Sequence, residues 1–322
     1  MRRSMIIWLS IGLGLVILGA LLFAGIMMLN KWNFSMLDSV KYESNTYEFT
    51  EEIKDININV DTAKIEIRKS EDGACKIECY EYEKSKHETK IEDGTLSIKV
   101  NNTRKWYDYI TIFDFGSPKI TVYLPKDQYG NLEIKGSTGA VKVKEEFTFE
   151  NADIKLSTGN TLFNANVLGD LKIKTSTGDI HVTNVSVGAT DLSVSTGDIY
   201  VAKVKCDGIL KISVSTGKSL LDEVECQSLV STGDTGDISM INVVAKEKLD
   251  ITRSTGDVSF DRCDAGEIFI KTDTGDVKGS LSSEKIFIYE TDTGRVKLPH
   301  STSGGKCEIS TDTGDIIISI VK

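Results

Sequence analysis

The chain is poor in proline and histidine, and each shortage excludes a class of protein. Its 322 residues include three prolines beside 27 glycines, so it has no proline-rich or collagen-like segment. The three histidines, His87, His181 and His300, lie far apart in the sequence. We therefore expect ordinary surface histidines rather than a zinc site or a Ser-His-Asp triad.

The cysteines are also few and show no evident disulfide framework. Cys75 and Cys79 are four residues apart in a strand-like segment, about 13 Å along an extended chain, which is too far for a disulfide. Their spacing is not that of a zinc motif. The other four fall in columns otherwise filled by small or apolar residues; they are Cys206, Cys226, Cys263 and Cys307. We predict that these four pack in the core.

The charge balance excludes another class. Acidic residues outnumber basic ones by 48 to 38, for a net charge of −10, which argues against a nucleic-acid partner. The hydrophobic fraction of 40% is enough for one long core.

What the chain does have is a repeat. The dipeptide Thr-Gly occurs ten times at steps of 19 or 20 residues, with its glycines at Gly139, Gly159, Gly178, Gly197, Gly217, Gly236, Gly256, Gly275, Gly294 and Gly314. A fixed period of this size is typical of a solenoid.

The residues around each Thr-Gly indicate which solenoid. Apolar residues alternate after the glycine, as in Ile180 and Val182, and before it, as in Leu171 and Ile173. This alternation predicts two short strands around a turn in every repeat, and the frame of leucine-rich repeats is absent. We predict an all-β, single-domain parallel β-helix of 19–20-residue coils, in which glycine supplies the positive φ of the corner.

The first thirty residues differ from the rest. Residues 5–29 form an uncharged run of about 25 residues, long enough to cross a membrane. Arg2 and Arg3 precede the run and only Lys31 follows it closely, so we expect a cytoplasmic N-terminus and an extracytoplasmic remainder. A cleaved signal peptide is the alternative, although the run is long and no A-x-A site follows it. We predict a single-pass protein of the cell membrane.

These patterns divide the chain into three parts. Residues 1–33 are predicted to be a cytoplasmic stub and transmembrane anchor, residues 34–131 a tether and N-terminal β capping region, and residues 132–322 the regular repeats. Within the middle part, residues 61–64 already resemble a degenerate corner.

One segment resembles a known family. Ile120, Val122 and Leu124-Pro125 precede the run "NLEIKGSTG" and the iterated "STGDI", behind an N-terminal membrane anchor. This layout resembles the "putative-adhesin" β-helix domain family of bacterial envelope proteins, whose members include LiaG-like proteins. The resemblance covers roughly residues 45–322 and implies the fold, whereas the family is a domain of unknown function and implies no catalytic residue.

An aspartate column is the first candidate site. An aspartate follows the corner glycine in many coils, and stacked carboxylates about 4.8 Å apart repel one another. Turn chemistry with interposed cations is one way to offset this, and Ca²⁺ between coils is the other. The calcium candidates are Asp237, Asp257, Asp276 and Asp315, joined by Asp273, Asp292 and Asp312 two residues before the glycine. We expect no other cofactor.

A second candidate is an aromatic segment, residues 106–116. Its aromatic side chains are those of Trp106, Tyr107, Tyr109, Phe113 and Phe115. They could present a surface to a sugar, a lipid interface or a partner. Alternatively, they cover the end of the first coils.

Two functional classes remain. We expect a non-catalytic, adhesin-like binding or scaffolding module of the bacterial cell envelope, with an envelope protein or a glycan as its partner. The alternatives are a polysaccharide-acting β-helix enzyme and a β-helical filament. Repeats of constant length leave no long loops from which to build a catalytic cleft.

The end of the sequence suggests a contact. The last coil finishes in an apolar strand at Ile320, with no following segment to cover it. Since solenoids normally have capped ends, we predict that the C-terminal coil is an open surface for end-to-end self-association or for docking of another envelope protein.

Overall fold

The computed structural model describes residues 3–32, 41–105, 116–144 and 147–321. It contains one helix followed by 22 strands that all belong to one continuous sheet. The sheet is wound into a parallel β-helix, so the predicted fold class is confirmed.

Helix α1 spans Arg3–Leu29. Its segment Ile7–Leu29 is long and apolar enough to cross a membrane, a test that an N-terminal signal sequence also meets. Nearly all of its described side chains are exposed, and a helix that is apolar all round requires an apolar environment. The helix ends in a tight turn in which Lys31 and Trp32 have positive φ.

The strands that precede the regular coils are partly antiparallel. They are β1 (Tyr42–Phe49), β2 (Asp55–Thr62), β3 (Lys64–Lys69), β4 (Cys75–Tyr82), β5 (Ser85–Glu92), β6 (Thr95–Asn102) and β7 (Lys119–Leu124). Strand β4 lies antiparallel between β1 and β7, and β5 lies antiparallel to β6. Strands β2 and β3 meet at the degenerate corner and run parallel to the coils that follow.

The remaining strands form the regular coils and pair in parallel. They are β8 (Gln128–Thr138), β9 (Val141–Val143), β10 (Thr148–Thr158), β11 (Thr161–Phe163), β12 (Asn166–Thr177), β13 (Ile180–Thr196), β14 (Ile199–Thr216), β15 (Ser219–Thr235), β16 (Ile238–Thr255), β17 (Val258–Thr274), β18 (Val277–Leu281), β19 (Lys285–Thr293), β20 (Val296–Lys297), β21 (Gly305–Thr313) and β22 (Ile316–Ile320).

The Thr-Gly corner requires glycine for two reasons. Gly178 has φ of 131°, a region that side chains rarely adopt. Its N–H donates to the carbonyl of Thr196 in the next coil at 2.9 Å, and a Cβ on it would lie 2.3 Å from the carbonyl oxygen of Gly159 in the preceding coil. The repeated glycine therefore permits both the turn and the close stacking of coils.

A second corner lies six residues after the glycine and uses ordinary residues. Its members all have positive φ; they are Asn184, Lys203, Glu223, Asn242 and Arg262. A third bend follows at a register shift, for example between Val187 and Thr190. Because pairing continues through these bends, the structure shows one long strand between successive Thr-Gly corners in the central coils.

The interior is filled largely by stacked columns of Ile, Val and Leu, and it also holds a buried arginine. Arg253 is 1% exposed. Its guanidinium donates to the hydroxyls of Ser231 at 2.9 Å and Ser219 at 3.3 Å. In the preceding coil Gly233 leaves the space that it fills, since a Cβ there would lie 2.6 Å from an arginine nitrogen. Burial lowers the pKa of Arg253 to about 10.

The cysteines are buried as predicted, whereas one histidine that was predicted to be exposed is also buried. All six cysteines are buried thiols. His181 and His300 are at least partly exposed, but His87 is 4% exposed. The prediction that His87 lies on the surface is therefore wrong. Its strand, β5, turns that side chain inward, which its isolated position in the sequence did not indicate.

The order of the coils departs from the order of the chain at both ends. Strands β21 and β22 lie between the coil of β17 and β18 on one side and the coil of β19 and β20 on the other. At the opposite end, β2 and β3 lie between β6 and β7 on one side and β8 and β9 on the other.

This order corrects the predicted open end. The C-terminal coil is not the terminal one, because residues 285–297 stack beyond it. We call β19 and β20, residues 285–297, the end rung. The last coil is covered on both sides, and Ile309 within it is 1% exposed.

Candidate functional site

The aspartate column is a ladder of backbone hydrogen bonds. Asp179 Oδ1 accepts the N–H of Asp198 at 2.9 Å, and Asp198 Oδ1 accepts that of Lys218 at 2.7 Å. After Lys218 the ladder resumes with Asp237, Asp257, Asp276, Asp315 and finally Arg295 of the end rung. One oxygen of each carboxylate in the ladder thus satisfies the corner of the adjacent coil.

Cations hold the second oxygen in three of these carboxylates. Lys218 lies 3.1 Å from Asp237 Oδ2, Arg295 lies 2.8 Å from Asp315 Oδ2, and Lys278 pairs with Asp276. The pKa of Asp276 is lowered first by Lys278, and the pKa of Asp315 first by Arg295. For Asp237 the backbone N–H of Asp257 lowers the pKa most, followed by Lys218.

The carboxylates two residues before the glycine are exposed; they are Asp273, Asp292 and Asp312. Among the described residues, the one group that brings three His, Cys, Asp or Glu ligand atoms within 4.8 Å of one another lies elsewhere, at Cys79, Glu81 and His87. The hydrogen bonds and ion pairs of the column match the turn alternative, and calcium between coils stays the untested alternative.

The predicted aromatic surface lies outside the described residues. Trp106, Tyr107, Tyr109, Phe113 and Phe115 all fall in residues 106–115. Their role as a contact surface or a cover stays a prediction.

The end rung is the candidate contact site. Among the described strands, β19 pairs with β21 alone and β20 with β22 alone, so one edge of each carries backbone groups without a strand partner. Such an edge is a template for further pairing. It lies at the opposite end of the solenoid from β1, the first strand after the helix.

The end rung carries apolar side chains on both faces. Tyr289 and Val296 occupy core columns and are 55% and 37% exposed because no coil covers them. Ile286 and Ile288 face outward and are about half exposed. In the adjacent coil, the positions of these two isoleucines are held by Lys306 and Glu308.

The sequence contained a signal for this surface. The segment Ile286 to Tyr289 is four consecutive apolar residues, whereas the adjacent coil alternates polar and apolar residues at these positions. A loss of alternation predicts that both faces of a strand meet apolar surroundings. The position of this strand at the end of the stack could not be read from the period, because the period assigns coils in chain order.

A shallow groove of about 730 Å³ follows the second corner along the solenoid. Its polar lining includes Asn184, Lys203, Glu223, Asn242 and Arg262, and no histidine, cysteine or aromatic side chain. It is an open, mixed-charge surface rather than an enclosed cleft.

Comparison with known families places the chain. The model of the Toastrack family, DUF4097, matches residues 53–218 and again residues 207–322. The chain belongs to this family. The resemblance seen in the sequence is thereby confirmed, and the two overlapping matches together cover strands β2 to β22.

Solved structures with a similar fold include proteins described as a "putative adhesin" and a "putative lipid binding protein". The first, from Bacteroides fragilis, is 14% identical with a TM-score of 0.42, and the match covers 87% of this chain and 97% of that one. The second, from Parabacteroides distasonis, is 16% identical with a TM-score of 0.43, covering 84% and 96%. At these values neither carries an argument about the function of this chain. No curated protein sequence matches it.

Proposed function

We propose that this protein is a membrane-anchored, extracytoplasmic and non-catalytic binding or scaffolding module of the bacterial cell envelope. Residues 1–33 are its anchor, residues 34–131 its tether and N-terminal cap, and residues 132–322 its repeats. It makes contact through the end rung. The observation that carries this proposal is the unpaired, apolar strand edge at that end of the solenoid.

The non-catalytic part of the proposal is supported by the regular coils. Successive corner glycines are 19 or 20 residues apart, so the coils lack the long loops from which enzymes of this architecture build a cleft. The groove at the second corner carries Glu223 and Glu225 among cationic side chains, but it is open and does not enclose a substrate. A polysaccharide-acting enzyme is therefore the weaker alternative.

The occupant that we propose for the end rung is a second copy of the chain. A two-fold axis through the edge would set two β19 strands antiparallel, which satisfies the backbone of both and covers Ile286 and Ile288. The other end of the solenoid also has an edge strand, β1, but a two-fold contact through β19 uses the same surface of both copies. Tail-to-tail pairing thus closes as a dimer and does not propagate as a filament.

Light scattering of the full chain in detergent tests the contact. We expect a concentration-dependent dimer that the double variant Ile286→Lys, Ile288→Lys abolishes, because two ammonium groups cannot be buried against their copies. Leu168→Lys with Ile209→Lys is the matched control, since these isoleucine and leucine side chains are exposed on the flank of the stack. A dimer that persists in the end-rung variant, or a strictly monomeric wild type at high concentration, would contradict self-association.

Protease added to intact cells tests the location. Because the basic residues Arg2 and Arg3 precede the helix, we expect the solenoid to be removed while the N-terminus is protected. A solenoid that resists protease until the membrane is lysed would overturn the proposed topology and favour an intracellular scaffold.

A further inference from the structure

A polar cluster lies inside the N-terminal part of the solenoid, at the hairpin of β4 and β5. The inward face of β4 carries Cys75, Ile77, Cys79 and Glu81, all nearly inaccessible. After the turn, pairing between Tyr82 and Ser85 begins β5, which carries His87 inward. Strand β4 continues into the sheet of β1 and β7, whereas β5 joins β6. The hairpin therefore holds side chains of both sheets against one another.

Three different ligand types converge there. Cys79, Glu81 and His87 are 1%, 0% and 4% exposed, and their thiol, carboxylate and imidazole ligand atoms all lie within 4.8 Å of one another. Glu81 Oε2 is 2.6 Å from His87 Nδ1. The other oxygen, Oε1, accepts the amide of Asn45 at 2.7 Å, which fixes the orientation of the carboxylate.

We propose that Cys79, Glu81 and His87 form a binding site for one Zn²⁺ ion. Thiolate sulfur, imidazole nitrogen and carboxylate oxygen are the three ligand types that zinc takes in proteins, at about 2.0–2.3 Å. Ligand atoms around a tetrahedral ion are about 3.3 Å apart by that geometry, so small side-chain rotations convert the present cluster into a coordination shell. Three protein ligands leave the fourth position to water.

The proton balance of binding is defined. Burial raises the pKa of the Cys79 thiol to about 12, so the sulfur is protonated until the ion arrives, and coordination displaces one proton to solvent. In the metal-free cluster His87 Nδ1 donates its proton to Glu81 Oε2, so coordination of a neutral imidazole through Nδ1 moves this proton to Nε2 and adds nothing to the one proton released. Glu81 is already ionised, since hydrogen bonds from His87 and Asn45 outweigh its burial and lower its pKa.

A metal-free hydrogen-bonded pair of Glu81 and His87 is the competing account of the same cluster. That pair makes no use of the thiol, so Cys79 separates the two accounts. Cys75 is the matched control because it is a buried thiol on the same face of the same strand, four residues earlier.

The test uses the full-length chain in detergent, stripped with a chelator and titrated with Zn²⁺ and, separately, with Co²⁺. We expect one ion per chain, a thiolate-to-cobalt charge-transfer band, and a melting temperature that rises with zinc. Cys79→Ser should lose the band and bind zinc at least about 100-fold more weakly. Loss of a ligand should reduce metal affinity at least as much as loss of a group that orients a ligand. Cys75→Ser should behave as wild type.

Either of two results would overturn the site. One is a wild-type chain that takes up no stoichiometric zinc or shows no charge-transfer band, a result that stands even if the variants fail to fold. The other is a folded Cys79→Ser chain that binds zinc as tightly as Cys75→Ser does, which would leave the metal-free hydrogen-bonded pair as the account of the cluster.

Discussion

The two ends of the solenoid differ in how they finish the stack. At the N-terminal end, antiparallel strands β1, β4 and β5 extend the sheet, and their inward faces bury Glu81 and His87. At the other end, residues 285–297 form the end rung first. Residues 305–320 then insert as the last coil between the end rung and the coil of β17 and β18. One end is covered by additional strands, whereas the other leaves Tyr289 in a core column 55% exposed.

This difference shows that a repeat period in the sequence predicts the interior coils of a solenoid but not how its ends are covered. Interior coils are interchangeable because each meets an identical neighbour on both sides. A terminal coil has a neighbour on one side only, so its apolar residues are either covered by strands of another pattern or left for a partner. Here the core columns are covered at the end that follows helix α1, where Leu96 and Ile98 are buried, and are not covered at the opposite end.

The largest expected effect distinguishes the last coil from the end rung. Ile309 and Tyr289 share one column, but Ile309 lies in the covered coil. We expect Ile309→Ala to cost about 2–5 kcal/mol of unfolding free energy, as for a buried isoleucine, and Tyr289→Ala about 1 kcal/mol or less. Denaturant unfolding measures both. Equal losses of unfolding free energy, or a larger loss for Tyr289→Ala, would contradict this order and indicate that the last coil lies at the end of the stack.

A smaller effect is expected at the covered end. Glu81→Gln should lower the unfolding free energy by about 2–3 kcal/mol, because it leaves His87 without its charged partner in the interior. Glu52→Gln is the control, since that carboxylate forms an exposed pair with Lys126 and its loss should leave stability nearly unchanged. Both variants are measured by urea unfolding.

The same carboxylate predicts a pH dependence. Burial by itself would raise the pKa of Glu81, but the hydrogen bonds from His87 and Asn45 hold it below its usual value. A carboxyl with a lowered folded pKa stabilises the protein above its unfolded pKa of about 4.3, and this stabilisation is lost as the pH falls through the folded pKa. Wild type should therefore lose more stability on acidification below about pH 4 than Glu81→Gln does. If wild type and Glu81→Gln lose unfolding free energy in parallel as the pH falls, Glu81 is not a source of the acid sensitivity.

The smallest effect is expected along the corner between the ends. Asp257→Asn with Asp276→Asn removes two neighbouring charges but keeps an oxygen that accepts the N–H of the next coil. We expect a change of less than about 0.5 kcal/mol and the same melting temperature with and without calcium in both proteins. A calcium-dependent rise that the double variant loses would establish the column as a calcium site.

Much of the fold could be predicted because it depends on a short motif and a local pattern that every coil repeats. Thr-Gly fixes each corner, and alternation fixes which side chains face inward, so the coils and the buried cysteines of the repeats follow from the sequence. The corner at Asn184 and its equivalents has no sequence signature. The strain of a positive φ is modest, so strand pairing on both sides can hold different residue types in this conformation.

The candidate sites could be predicted far less well. The contact between Glu81 and His87 depends on where a hairpin turns, and the exposure of Ile286 depends on the return of residues 298–304 past their own coil. Both are choices between non-local pairings of similar local sequence. Composition and spacing carry no information about such choices.

Amide hydrogen exchange on the full chain in detergent tests the central claim most directly, because it reports the cover over each coil. We predict that residues 305–320 exchange as slowly as the interior coils of residues 238–281, and that residues 285–297 exchange faster along their free edge under dilute, monomeric conditions. The fastest exchange at residues 305–320, with residues 285–297 fully protected, would contradict the inserted last coil and the open end rung together.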